Sequence, residues 1–176
     1  MRDRIPDPCR LLVVGINPGR LTEEVDAPFA HPGNRFWPAL ERAGITPYRV
    51  HAERGLADED AAMLAGMGIG FTNFVDRMTP RASALTREEL VAGGDKVRAC
   101  VARHRPDVVM VVGIGAFRDA YRAPKAKRGL QPERLAGVVG NPSGLNAHET
   151  VDSLAESYHE VWDSVAASAP TARERR

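Results

Sequence analysis

The stretch Leu11-Leu12-Val13-Val14-Gly15-Ile16-Asn17-Pro18-Gly19 decides how the chain is read. Four apolar residues in an unbroken run, with no polar alternation, predict a strand buried on both faces, as in a parallel sheet covered by helices. Gly15 ends the run, and Pro18-Gly19 stops its continuation. Outward from it, the β-branched run Val108 to Val112 ends at Gly113 and is the strongest strand expectation in the chain. Leu135 to Val139 predicts another strand and leads into Asn141-Pro142-Ser143-Gly144-Leu145-Asn146, while Gly68 to Val75 predicts a fourth.

Helical patterns fall between the strands. Asn34 is placed to cap a helix through about Ala43, and Ala57 to Ala65 reads as a shorter helix. Thr86-Arg87-Glu88-Glu89 spells a capping box that opens a helix to His104, before Pro106. Within that helix Gly93-Gly94 costs roughly 1 kcal/mol per glycine relative to alanine, so a kink or break is expected there. Gly115 to Tyr121 follows the strongest strand. Glu149 to about Ala167 is amphipathic, with Val151, Leu154, Tyr158, Val161, Trp162 and Val165 inward. Residues 18–34 and 76–85 read as irregular. The alternation implies an α/β fold: a single three-layer α/β/α domain over residues 1–169, with a central, mostly parallel sheet of about four strands and a disordered tail at 170–176.

Composition narrows the class. A chain of 176 residues can bury a full core without staples. Its two cysteines, Cys9 and Cys100, are too few for a four-cysteine zinc or iron-sulfur site, and its five histidines show no metal spacing, so no metal is expected. The proline-punctuated start resembles no signal peptide and no apolar stretch reaches membrane-spanning length; a soluble, cytoplasmic protein without a membrane partner is expected. The net charge of +1 favours no partner by itself, but Arg118, Arg122, Lys125, Lys127, Arg128 and Arg134 crowd one stretch against only Asp119 and Glu133. That stretch reads equally as a solvated loop or as a phosphate-tracking surface.

If the apolar runs are parallel strands, both asparagine-bearing turns open onto the carboxyl edge of one sheet, where ligands bind in open α/β folds. A nucleotide cofactor fits poorly. Gly15-Ile16-Asn17-Pro18-Gly19 is not G-x-G-x-x-G, no Walker lysine follows, and Gly113-Ile114-Gly115 lacks its third glycine, so no cofactor is expected. Asn17 cannot serve as a general base, because an amide takes up no proton at neutral pH; it can hold a water. A held water suffices where bond breaking runs ahead of attack, as at an N-glycosidic bond whose base departs as a stabilised anion.

Several segments, in order, carry a family resemblance: Gly15 to Gly19, Pro28-Phe29-Ala30-His31-Pro32-Gly33-Asn34-Arg35-Phe36-Trp37, Gly70-Phe71-Thr72-Asn73 with Val75-Asp76-Arg77, Ala92-Gly93-Gly94, and Asn141 to Leu145. Over about Leu11 to Trp162 the chain resembles the bacterial mismatch-specific uracil-DNA glycosylases, of the thymine-DNA glycosylase family within the uracil-DNA glycosylase superfamily. The resemblance implies a monofunctional hydrolase in base excision repair. It would flip a mispaired uracil, with thymine and ethenocytosine as further candidates, out of double-stranded DNA bearing G·U or related mispairs, acting as a monomer on the bacterial nucleoid.

It implies that Asn17 positions the attacking water. It also implies that Phe29 stacks on the extruded base, with Gly15, Ile16, Pro18 and Asn141 forming the base pocket and backbone groups near Ile16 and Phe29 meeting the pyrimidine carbonyls. Ser143, Gly144, Leu145 and Asn146 correspond to an insertion turn: Leu145 fills the vacated stack while backbone groups meet the orphaned guanine. Singly, each residue has a plainer reading: Asn17 caps a turn, Phe29 is core, Leu145 is a surface leucine. Jointly they do not. His31, Asn34, Arg35 and Trp37 read as mainly structural. Arg20-Leu21-Thr22-Glu23-Glu24 is bulkier and more acidic than the family pattern, and Asp26 and Asp95 are carboxylates that could supplement Asn17. The competing classes are a non-catalytic mismatch or lesion reader and a small nucleotide hydrolase.

Overall fold

The computed structural model describes residues 1–131 and 136–168. The expectations for Glu133, Arg134 and Leu135, and for the tail at 170–176, lie outside the described residues. Strand β1 (Leu11–Gly15) is buried along its whole length, flanked by β2 (Ile69–Asn73) and β3 (Val108–Val112), both parallel to it. Strand β5 (Ala136–Val139) runs parallel beside β3, and the order across the sheet is β2-β1-β3-β5-β4. The expected sheet of about four strands is therefore corrected to five. β4 (Gly129–Leu130) is a two-residue antiparallel strand at the end of the basic stretch, and so short a segment carries no periodic signal.

Alternate residues of β1 divide between the two helical layers. Leu11 and Val13 face a core with Phe36, Trp37, Leu64 and Tyr158, whereas Leu12 and Val14 face one with Leu90, Val97 and Phe117. The first layer holds α2 (Phe36–Arg42), α3 (Asp58–Gly66) and α6 (Val151–Ser168); the second holds α4 (Arg87–His104) and α5 (Ile114–Ala120). In α6, Leu154, Tyr158, Val161 and Val165 are buried as expected, with Val151 and Trp162 packed at the margin.

Three further expectations need correction. The segment 18–34 is not wholly irregular, because α1 (Arg20–Val25) forms after the first turn; at six residues it is too short for periodicity to reveal. Helix α4 is continuous through Gly93-Gly94. An added Cβ would strike the Phe74 carbonyl at Gly93 and lie 2.7 Å from the Ala120 carbonyl oxygen at Gly94, so the pair allows close packing rather than a kink. The capping box at Thr86 and Glu89 is present. Asn34 accepts the Phe36 N–H at 2.9 Å, although the capping position itself falls on Arg35.

The basic stretch is partly committed to structure. Arg118 donates to the Ala126 carbonyl at 2.7 and 2.9 Å, and Arg128 pairs with the buried Glu149.

Candidate active site

Because β1 and β5 are both parallel to β3, the turns that follow them leave the same edge of the sheet. They face one cleft of about 820 Å³. Gly15, Ile16, Asn17, Phe29, Asn141, Ser143, Gly144, Leu145 and Asn146 all line it. Pro18 does not: it is buried within its turn, where its carbonyl accepts the Thr79 N–H at 3.2 Å.

The first turn is braced by the chain that leaves β2. The carbonyls of Gly15 and Ile16 accept the N–H groups of Phe74 and Val75, each at 3.0 Å. Asn17 Nδ2 donates to Thr79 Oγ1 at 2.7 Å, to the Arg77 carbonyl at 3.1 Å and to the Pro18 carbonyl at 3.3 Å. The Thr79 hydroxyl gives its own hydrogen to the Arg81 carbonyl at 2.8 Å, so towards Asn17 it acts as acceptor. Rotating the amide by half a turn would set its oxygen against two carbonyl oxygens. The nitrogen side is thereby fixed, and Oδ1 is left without a protein partner among the described residues.

Arg77 is itself anchored. Its guanidinium donates twice to Glu89, at 2.8 and 3.0 Å, and Glu89 also accepts the Thr86 N–H at 2.8 Å. The Arg77 bonds, followed by the Thr86 bond, hold the Glu89 carboxyl down at about 2. The cap of α4 thus reaches the asparagine through one arginine.

Phe29 sits half-buried in the left-handed region, with φ of 52°, a conformation costly for an aromatic residue and frequent at functional sites. One ring face stacks on Phe36 at 3.9 Å between centroids and 20° between planes, while the residue lines the cleft. Asn73, at the end of β2, opposes Gly15 in register, and an added Cβ on Gly15 would collide with its Oδ1. Its side-chain amide has no hydrogen-bond partner among the described residues, while Lys96 holds its carbonyl at 3.2 Å. Asn73 and Thr79 were given no role on sequence grounds. The signal for Asn73 was present, as a third asparagine closing a strand on the same edge.

The second turn is closed by its own asparagines. Asn141 Oδ1 accepts the Ser143 N–H at 3.0 Å, and Asn146 Nδ2 donates to the Asn141 carbonyl at 2.9 Å. Leu145 at its tip is 80% exposed, the most exposed of the large apolar side chains described.

Arg20, Leu21 and Thr22 of α1 line the cleft, whereas Glu23 and Glu24 do not and are paired with the Met1 amine and with Arg20. Asp26 is tied to Arg4, and Asp95 to Arg98; neither lines the cleft, and no carboxylate does among the described residues. His31 lines the cleft with Nδ1 accepting the Gly33 N–H at 3.0 Å. Trp37 is core, its indole donating to the Pro28 carbonyl at 3.0 Å. Burial pushes the Cys9 thiol up to about 11 and raises Cys100 as well, so neither is a thiolate nucleophile at neutral pH.

Among the described residues no group of three or more metal-ligating side chains occurs, and no helix is long and apolar enough to cross a membrane. Compared with known protein families, residues 3–166 match the model of the uracil DNA glycosylase superfamily.

Proposed function

The chain belongs to the uracil DNA glycosylase superfamily, whose members are DNA glycosylases that hydrolyse N-glycosyl bonds, and from that premise we propose a monofunctional, mismatch-directed enzyme. Its substrate is a uracil mispaired with guanine in duplex DNA, flipped into the cleft between the two turns. The observation that carries the reading is the orientation of Asn17: three acceptors hold its nitrogen, and among the described residues its oxygen has no partner and no carboxylate lines the cleft.

An acceptor so fixed takes a hydrogen bond from a water and turns the water's lone pair towards C1′ of the flipped nucleotide. As the C1′–N1 bond breaks, its electron pair moves into the pyrimidine and is delocalised over the ring carbonyls. Water oxygen bonds to C1′, the surplus proton passes to solvent or to the departing base, and an abasic sugar remains. No enzyme amine is needed. Stabilisation of the leaving anion falls to preorganised donors in a water-poor site. Ile16 and Phe29 line the cleft, and their backbone N–H groups have no protein partner among the described residues. The unpartnered amide of Asn73 is suited to the polar edge of the base, and Phe29, backed by Phe36, to its face.

The two glutamates of α1 lie outside the lining and are each paired with a cation, and the α1 residues that line the cleft are Arg20, Leu21 and Thr22. We infer a preference for uracil over the 5-methylated base and over ethenocytosine. Leu145, on the opposite turn, fills the gap in the stack.

Single-turnover release of uracil from a G·U duplex tests the reading, with hot alkali revealing abasic sites. Wild type is expected to yield alkali-labile strands and Asn17→Ala to lose this yield. Equal rates overturn the role of Asn17, and duplex binding without strand cleavage by wild type favours the mismatch reader. Release from free deoxyuridine instead points to a nucleotide hydrolase.

A further inference from the structure

We propose that Arg35 is the positioning residue of the insertion turn, setting where Leu145 stands and which backbone carbonyls face the DNA. This rests on the reading of that turn as a wedge.

A side chain 80% exposed can displace a base only if its backbone does not yield. The bonds within the turn close it on itself: Ser143 N–H to Asn141 Oδ1, Asn146 N–H to the Ser143 carbonyl and Asn146 Nδ2 to the Asn141 carbonyl. None of them ties it to the body of the protein. Apart from the neighbouring His148 N–H, which meets Asn146 Oδ1 at 3.2 Å, every hydrogen bond that reaches 141–146 from elsewhere among the described residues is donated by Arg35. Its backbone N–H meets the Pro142 carbonyl at 2.9 Å, and its Nη1 meets the carbonyls of Ser143 at 3.1 Å and Asn146 at 3.0 Å. Beside it, an added Cβ on Gly144 would lie 2.6 Å from the Gly33 carbonyl oxygen, so the turn rests directly on the same loop.

A guanidinium holding two carbonyls is a charge-assisted contact, and it turns those two oxygens inward. The carbonyls of Gly144 and Leu145 keep no protein partner among the described residues, and they remain for the N–H donors of an orphaned guanine. Arg35 also follows Phe29 by six residues on the segment that enters α2. Base platform and wedge therefore share one frame, and a shift of the wedge alone requires breaking the Arg35 contacts.

The experiment compares Arg35→Met, which keeps the stem and loses the donors, with Arg35→Lys, which retains donors and charge. Arg35→Met is expected to lower single-turnover uracil release from a G·U duplex roughly tenfold, and from a single strand by no more than about twofold. Arg35→Lys restores part of the duplex rate. In a Leu145→Ala background, Arg35→Met adds little, because both changes remove the same wedge. Equal losses on duplex and single strand, or full additivity with Leu145→Ala, overturn the proposal. If Arg35→Met does not fold, Gly144→Ala, which pushes the turn off Gly33, is expected to show the same duplex-specific loss.

Should wild type release no uracil, the glycosylase reading fails separately. The wedge is then read from 2-aminopurine placed beside the mispair. Brightening on wild-type binding that weakens in Arg35→Met supports the proposal; equal brightening, or none with wild type, overturns it.

Discussion

The two turns leave the same sheet edge and both carry asparagine, yet they are built in different ways. The first is held by another segment: its carbonyls and the Asn17 nitrogen bond to the chain that follows β2, and among the described residues Asn17 is left one atom without a partner, Oδ1. The second closes on itself, is gripped by the single side chain of Arg35 and keeps its tip bare. Its asparagines spend their side chains on closing the turn. The contrast suits the tasks proposed for the two turns. Holding a water needs a polar atom whose orientation is over-determined, whereas entering a base stack needs an apolar group that nothing else has claimed.

Replacing the first turn's free atom should produce the largest effect. Asn17→Ala is expected to slow single-turnover uracil release about 10²- to 10³-fold, the scale seen when a preorganised polar group is removed from an active site, with the thermal midpoint little changed. A loss confined to duplex substrate would instead place Asn17 with the wedge and erase the contrast. Leu145→Ala comes next, with roughly a tenfold loss on a G·U duplex and less on a single strand, consistent with a few kcal/mol of unstacking that the wedge offsets in part. An equal loss on both substrates would break the division of tasks.

Thr79→Val removes the hydroxyl that accepts from Asn17 without emptying the site. A loss of about threefold to tenfold is expected, the order of one neutral hydrogen bond, with Thr79→Ser restoring activity. The smallest effect belongs to Glu89, which reaches Asn17 only through Arg77. Its folded carboxyl sits at about 2, below the roughly 4.3 of a free glutamate. Its contribution to stability is therefore present above pH ~4.3 and lost as pH falls through about 2. Urea melts across that window should show a steeper acid loss for wild type than for Glu89→Gln; parallel losses would rule out the Arg77 anchor as its source.

Much of this contrast was legible in the order of residues. The runs at 11–14 and 108–112 read as buried strands because nothing in them alternates, the strand at 69–73 was legible from Ile69 and Phe71 among glycines, and the two asparagine turns follow from the glycines and prolines that end such runs. What escaped was short or distant. Helix α1 and strand β4 are too brief to show a period. Gly93-Gly94 carries the same letters whether a helix kinks or packs closely, and only the carbonyls of Phe74 and Ala120 decide between them. Pro18, grouped with the pocket because its neighbours are there, turns inward.

The sequence by itself determined the layered α/β class, the family-like order of motifs and the two asparagine turns, because strand burial and turn chemistry are local properties of consecutive residues. Only the tertiary structure decided which atom of Asn17 is free, that Asn73 faces Gly15, and that Arg35 grips a turn 108 residues away at Ser143. Those facts depend on pairs of groups brought within about 3 Å by the packing of the whole sheet, where hydrogen bonding becomes decisive and spacing along the chain carries no information.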